Sequence, residues 1–262
     1  MKWSAGAMFP ITRQSTVVNG IPTSYKQVGE GEPIVFVHGL SGSTYWWRRN
    51  IPHLAAHYRL YLVDLPGFGS MRRQRRHFHL ETSAAWLAAW TQVVKLDSFY
   101  LVGHSMGGYV AMALAALHPE RVKRLILVSC VSVALAKSVV GYLPHLFLAG
   151  LRITPTFFPT LFFDSLRAGI PTLVRATKQI VDLDITPVVT ALQTPTLLIW
   201  GERDNLVPLA FAYHLQTQLA HVHPRLLVIE RASHVSMFEQ PCQFNSAVLA
   251  FLEQQKEKPH HA

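Results

Sequence analysis

The stretch Phe99-Tyr100-Leu101-Val102-Gly103-His104-Ser105-Met106-Gly107-Gly108-Tyr109 sets a β-branched and aromatic run at 99–102 against an alanine-rich run at 109–118, with a serine at the join. It reads as strand, sharp turn and helix. A serine at such a tip takes a strained backbone conformation, and Gly103 and Gly107, two residues to either side, lack the β-carbons that would collide as strand and helix close up. This is the G-x-S-x-G arrangement of a nucleophilic serine, and the strand before it and helix after it are the context that the motif needs. The turn lifts the hydroxyl off the sheet edge, while the helix that begins there points free N–H groups and its positive dipole end at developing negative charge.

Outward from this centre the chain alternates. Upstream, Asn19-Gly20 between two β-prone runs marks a hairpin, and Ile34-Val35-Phe36-Val37 is an apolar run too short for a helix, as expected of a strand covered on both faces. A helix is expected over 44–56 with Ser43 or Thr44 as cap, a strand over 58–64, a turn at Pro66-Gly67-Phe68-Gly69 and a helix over 82–95. Downstream come a strand at 124–128, another at 196–200, a helix at 209–219, a strand at 226–229 and a last helix at 242–255. Such alternation implies a parallel sheet with helices on both faces.

Between Ser129 and the resumption near residue 191 the pattern fails. Helix-like apolar stretches are interrupted by Pro144, Pro155, Pro159, Pro171 and Pro187 and carry Phe147, Phe157, Phe158, Phe162 and Phe163. The expected division is a core domain of residues 1–130 and 191–262, with residues 131–190 as a helical cap inserted after the sixth strand. The phenylalanines are expected to form the insertion's own small core, with some lining a pocket over the strand ends, where open α/β sheets bind ligands.

The 262 residues are half hydrophobic and only 15% charged, which suits one substantial domain. The formal charge of +9 and the cluster Arg72-Arg73-Gln74-Arg75-Arg76 invite a nucleic-acid reading, but no DNA- or RNA-binding pattern accompanies them. A solvated basic loop is the plainer reading, with attraction of anionic substrates or transient contact with a membrane surface as the alternative. No apolar run approaches the ~18 residues of a spanning helix, and residues 1–10 lack the core of a secretion signal, so a cytoplasmic protein is expected. Cys130 and Cys242 stand far apart and outside any C-x-x-C pattern, so buried thiols are expected rather than a disulfide or zinc site.

A neutral serine needs a base, and histidine, which titrates near ~6.5, suits the part. Of fourteen histidines, His234 follows the final strand on a loop before the last helix. An acid must then orient its ring, and Asp204 sits just past the preceding strand in Gly201-Glu202-Arg203-Asp204. Asp64 is the rival acid, but its Pro-Gly-rich turn suggests that it staples a loop; Glu202 is a weaker substitute. His38 and His104 flank the serine and read as structural hydrogen-bonding residues. Trp46 and Trp47 read as packing, and Asp182 and Asp184 as a solvated face.

The order Ser105, Asp204, His234, together with His38-Gly39, Asp64-Leu65-Pro66-Gly67-Phe68-Gly69 and Ser233-His234, resembles capped α/β-hydrolases, the family that includes carboxylesterases and ring-fission-product C–C hydrolases. The resemblance covers nearly the whole chain and implies a mostly parallel eight-stranded sheet flanked by helices. It implies a catalytic triad of Ser105, Asp204 and His234, and an oxyanion hole made by the backbone N–H groups of Leu40 and Met106. It calls for no metal or organic cofactor. Hydrolysis of a carboxylic ester with an apolar acyl or alcohol part, through an acyl-enzyme on Ser105, is the expected reaction. C–C bond hydrolysis of a diketo acid is the alternative and would need a cap arginine such as Arg152, Arg167 or Arg175 at the pocket. A non-catalytic ligand-binding protein on the same scaffold is the remaining possibility.

Overall fold

A hairpin opens the sheet. Strands β1 (Thr12–Val18) and β2 (Ile21–Val28) pair antiparallel about Asn19-Gly20, whose φ angles of 49° and 77° are the left-handed pair that a tight two-residue hairpin turn requires. The computed structural model describes residues 9–131 and 152–253, with residues 138, 140–141, 144–145 and 150 between them. The expectation for Phe147 lies outside the described residues.

Beyond the hairpin come β3 (Pro33–Val37), α1 (Ile51–Leu54), β4 (Arg59–Val63), α2 (Leu80–Val93), β5 (Phe99–His104), α3 (Met106–Leu117) and β6 (Val122–Val128). Helices α4 (Phe158–Ala168), α5 (Ile170–Val181) and α6 (Thr186–Ala191) precede β7 (Thr196–Gly201), α7 (Leu209–Gln218), β8 (Arg225–Ile229), α8 (Ser236–Glu239) and α9 (Pro241–Glu253). The eight strands run in the order β1-β2-β4-β3-β5-β6-β7-β8. From β4 to β8 every neighbouring pair is parallel, so the mostly parallel eight-stranded sheet that the resemblance implied is formed.

The chain leaves β3 towards one edge of the sheet and β5 towards the other. The crevice past the carboxyl ends of β3 and β5 is therefore the topological switch point, where open α/β sheets take ligands.

Alternate residues of the central strands feed two separate cores, which is why these strands read as unbroken apolar runs. Val35, Val37, Leu101, Leu125, Leu127 and Leu198 pack under α2, α3 and α7, whereas Ile34, Phe36, Val102, Ile126, Val128 and Ile199 pack beneath Trp46, Trp47 and α9. Each such fully buried side chain contributes about 1.5–3 kcal/mol of transfer free energy.

The structure corrects several local expectations. The helix expected over 44–56 is broken into a 3-10 turn, Thr44–Trp47, and the four residues of α1. Pro52 cannot donate to the carbonyl of residue 48 and its ring crowds that group, so a helix cannot run through. The cap is Ser43, whose side chain accepts the Tyr45 N–H at 3.3 Å. The basic cluster is a kinked 3-10 segment, Gly69–His77, rather than a plain loop.

Only one thiol is buried: Cys130 lies in the core, but Cys242 is exposed on the first turn of α9. Among the phenylalanines, Phe157 is buried between Trp46 and Phe238, with ring centroids 5.1 and 4.8 Å away. Phe158, Phe162 and Phe163 instead face outward and form no inner core.

Candidate active site

Ser105 joins β5 to α3 with φ 53° and ψ −118°, a conformation that costs a non-glycine residue on the order of 1–3 kcal/mol. The surroundings hold it there. Its N–H donates to the Val128 carbonyl at 2.9 Å, and its own carbonyl accepts from Gly108 N–H at 2.9 Å and Val131 N–H at 3.3 Å. A β-carbon at Gly103 would strike the carbonyl of Gly107, and one at Gly107 would strike that of His38, so α3 packs this closely on β5 and on the end of β3 only with glycine at both positions.

The carboxylate and the imidazole come from neighbouring strand ends. Asp204 follows β7 and His234 follows β8. One carboxylate oxygen of Asp204 accepts the N–H groups of Leu206 and Val207 at 2.9 and 2.8 Å; the other accepts from His234 Nδ1 at 2.9 Å. A carboxylate only accepts, so the Nδ1 carries a proton, and in the neutral ring the Nε2 keeps its lone pair. Ser105, Asp204 and His234 are only 5%, 4% and 6% exposed, a setting in which a charge-assisted contact is little weakened by water.

Two further residues hold the His234 loop. His104 Nε2 donates to the His234 main-chain carbonyl at 2.8 Å, and the two imidazoles lie 4.8 Å apart. Glu239 accepts the Ser233 N–H at 2.5 Å and the Ser233 hydroxyl at 2.8 Å. Burial, reinforced by the nearby His234, pushes the His104 pKa well below that of a free imidazole. It is therefore a neutral donor. No hydrogen bond joins Ser105 Oγ to His234 among the described residues; the structure links the two through His104, which precedes the serine and touches the imidazole.

The loop after β3 lies against the same turn. A β-carbon on Gly39 would come within 3.1 Å of Ser105 Cβ. His38 braces this loop: its Nε2 accepts the Leu65 N–H at 3.0 Å, so its Nδ1 donates to the Gly39 carbonyl at 2.8 Å. Burial lowers its pKa as well. Both flanking histidines thus serve as neutral braces, as expected from the sequence. Met106 is the first residue of α3, so its N–H has no intrahelical acceptor; Leu40 is one residue beyond Gly39, partly buried against the core.

The rival acids are placed elsewhere. Asp64 accepts from the N–H groups of Thr44 and Ser70 and from the Ser70 hydroxyl at 2.6–2.8 Å, the loop staple its turn suggested. Glu202 is exposed and accepts the Arg231 N–H, while Asp182 and Asp184 are exposed. Trp46 and Trp47 are buried.

Asp164 and Glu239 escaped the sequence reading. Asp164 lies on α4, is almost fully buried and accepts from Ser43 Oγ at 2.7 Å and Trp46 Nε1 at 3.1 Å, tying that helix to the turn after β3. Partners about 120 residues away leave no local signal.

Of the three arginines considered for an anionic substrate, Arg167 pairs with Asp164 and Arg175 donates to the Arg75 carbonyl. Arg152 lines a cleft of about 460 Å³ with Arg203, Arg231, Ser233 and Glu239, next to the His234 loop. Among the described residues no group of three or more His, Cys, Asp or Glu is placed to hold a metal ion.

Known proteins with similar sequences and folds agree with this architecture. A family model described as "alpha/beta hydrolase fold" matches residues 32–183. A pimeloyl-[acyl-carrier protein] methyl ester esterase of Aeromonas salmonicida is 30% identical over an alignment covering 87% of this chain and 98% of that protein. A 2-hydroxymuconate semialdehyde hydrolase of Pseudomonas sp. is 29% identical, covering 93% of this chain and 94% of its own length. Among solved structures, a bacterial membrane phospholipase A superposes with a TM-score of 0.79 over 95% of this chain and 87% of that one, at 23% identity, a likeness of fold.

Proposed function

Given that the chain belongs to the α/β-hydrolase fold family, we propose that it is a serine hydrolase that cleaves carboxylic esters with an apolar acyl or alcohol part. The observation that carries this reading is the Asp204 to His234 Nδ1 hydrogen bond at 2.9 Å, because it leaves the other imidazole nitrogen free to accept a proton beside a serine in a strained turn. Residues 131–190 act in this reading as a helical cap over the strand ends. The esterase relative from Aeromonas adds support for the ester class.

In the proposed mechanism His234 Nε2 takes the Ser105 proton as Oγ adds to the ester carbonyl. The tetrahedral oxyanion receives the N–H groups of Leu40 and Met106, each worth on the order of 10²–10³ in rate where such donors have been removed. Asp204 steadies the imidazolium, which passes the proton to the departing alkoxide. Water then repeats the sequence on the acyl-enzyme, releasing the acid and restoring Ser105.

The test is a panel of p-nitrophenyl esters of graded acyl length, with a fluorophosphonate probe for the active serine. Turnover and labelling that both vanish in Ser105→Ala are expected; a wild-type protein inert on every chain length and unlabelled would overturn the reading.

The Arg152, Arg203 and Arg231 cleft favours a second reading, C–C hydrolysis of an anionic ring-fission diketo acid by the same triad, the reaction class suggested by the name of the Pseudomonas relative. Decay of a coloured ring-fission product, with a raised KM in Arg231→Ala, would establish it. Ester turnover without such decay would end it.

A further inference from the structure

Helices α4 and α5 are amphipathic the wrong way round for elements that merely cover a core. The residues that α4 buries are Thr160, Asp164 and Ala168, while its stripe Phe158, Phe162 and Leu166, at the same four-residue spacing, faces outward with Phe163 beside it. Helix α5 likewise buries Thr172, Ala176, Thr177 and Ile180 and exposes Ile170 and Val174. These six exposed apolar side chains are 47–77% accessible. They form a connected surface on α4: Phe158 stacks on Phe162 with centroids 6.5 Å apart, and Phe162 meets Phe163 edge-on at 5.7 Å. A surface helix ordinarily turns its apolar stripe inward, and a contiguous apolar patch of this kind marks an interaction site.

The patch is bordered by cations. The segment carrying Arg72, Arg73, Arg75 and Arg76 docks at the α4–α5 junction, where Arg75 Nη2 donates to the Arg167 carbonyl at 2.7 Å and Arg175 Nη1 to the Arg75 carbonyl at 3.3 Å. All four arginines of that segment are exposed. Within α4 and α5 Arg175 and Lys178 add to them, while Arg167 pairs with the one acid there, the buried Asp164.

We propose that this face of α4 and α5, with the 72–76 segment, docks on an anionic lipid surface, inserting the phenylalanine and leucine side chains among the acyl chains while the arginines engage the headgroups. An apolar helix face rimmed with Lys and Arg is the arrangement that lies in a membrane interface, and basic residues beside it are attracted to acidic lipids. Charge argues against a second copy as the occupant. A two-fold pairing would set the same patch against itself and bring the two arginine rims together. The docking stands independently of the proposed ester chemistry, since it needs neither Ser105 nor His234.

The test is co-sedimentation of the full chain with vesicles of phosphatidylcholine alone and of phosphatidylcholine mixed with phosphatidylglycerol. Binding to the anionic vesicles only, weakened by salt, is expected. Arg72→Gln with Arg73→Gln should weaken it roughly fivefold for each arginine removed, and Phe162→Glu with Leu166→Glu should abolish it. Circular dichroism confirms that each variant is folded, and the salt titration of the wild-type chain stands even where a variant is not. Absence of binding to anionic vesicles, or equal binding to both compositions, would overturn the proposal. So would concentration-dependent dimerisation without vesicles that Phe162→Glu removes, since this would assign the patch to self-association.

Discussion

His104 Nε2 donates to the main-chain carbonyl of His234 at 2.8 Å, so the residue before the turn serine holds the loop that carries the imidazole. This positions the proposed base through its backbone rather than through its ring. Replacing His104 by Leu removes the donor and leaves a buried carbonyl unpaired, at a cost of about 1–3 kcal/mol. Expected is a fall in kcat of about tenfold or more with KM little changed, partly restored in His104→Gln, which keeps an N–H donor. Steady-state kinetics on a short-chain ester checks the split; a change in KM alone would show that His104 lines the substrate site instead.

Asp204→Asn tests the acid. The carboxylate accepts three N–H groups, two from the loop and one from the imidazole. An amide accepts through one oxygen and donates through its nitrogen, which stabilises the wrong imidazole tautomer. A fall in kcat of about 10⁴ is expected by analogy with other serine triads, together with slower labelling of Ser105 by a fluorophosphonate. Retention of most of the wild-type rate would remove Asp204 from the proposed triad.

The buried Asp164 imposes a pH dependence with a definite sign. Burial raises its pKa above the ordinary 3.8, against the lowering effect of the hydrogen bond from Ser43. A group that holds its proton more tightly when folded contributes its full stabilisation below the unfolded pKa, and loses it as pH rises through the folded one. Asp164→Asn cannot titrate. Tm of wild type minus Tm of the variant is therefore expected to be largest near pH 4 and to shrink towards pH 7, as followed by thermal melts across that range. A gap that widens with rising pH would contradict the raised pKa.

The two thiols differ in access. Cys242 is exposed and Cys130 buried, with burial pushing the Cys130 pKa upward, so its reactive thiolate is suppressed. Ellman's reagent is expected to modify one thiol in the native protein and the second only on denaturation. Loss of the fast reaction in Cys242→Ser identifies it.

Much of this architecture was legible along the chain because its signals are local. The apolar run at Ile34 to Val37 and the glycines around Ser105 carry their own physical meaning, a strand covered twice and a turn that admits no β-carbon. The broken helix after Ser43 was less legible, since apolar periodicity alone masks the effect of Pro52. Nothing near Asp164 marks it as a buried anchor, because Ser43 and Trp46 reach it only after folding, and the contact of half-buried Glu239 with Thr154 likewise spans 85 residues.

The sequence by itself determined the alternation of strands and helices, and hence the parallel sheet, together with the candidate residues Ser105, Asp204 and His234. These follow from steric and periodic rules that act over a few residues. The tertiary structure alone decided which acid meets which base, which tautomer His234 and His104 adopt, and that Phe158, Phe162 and Leu166 look outward. Those outcomes depend on distances between strand ends and on which side of a helix meets the core, and neither is encoded in any short stretch of chain.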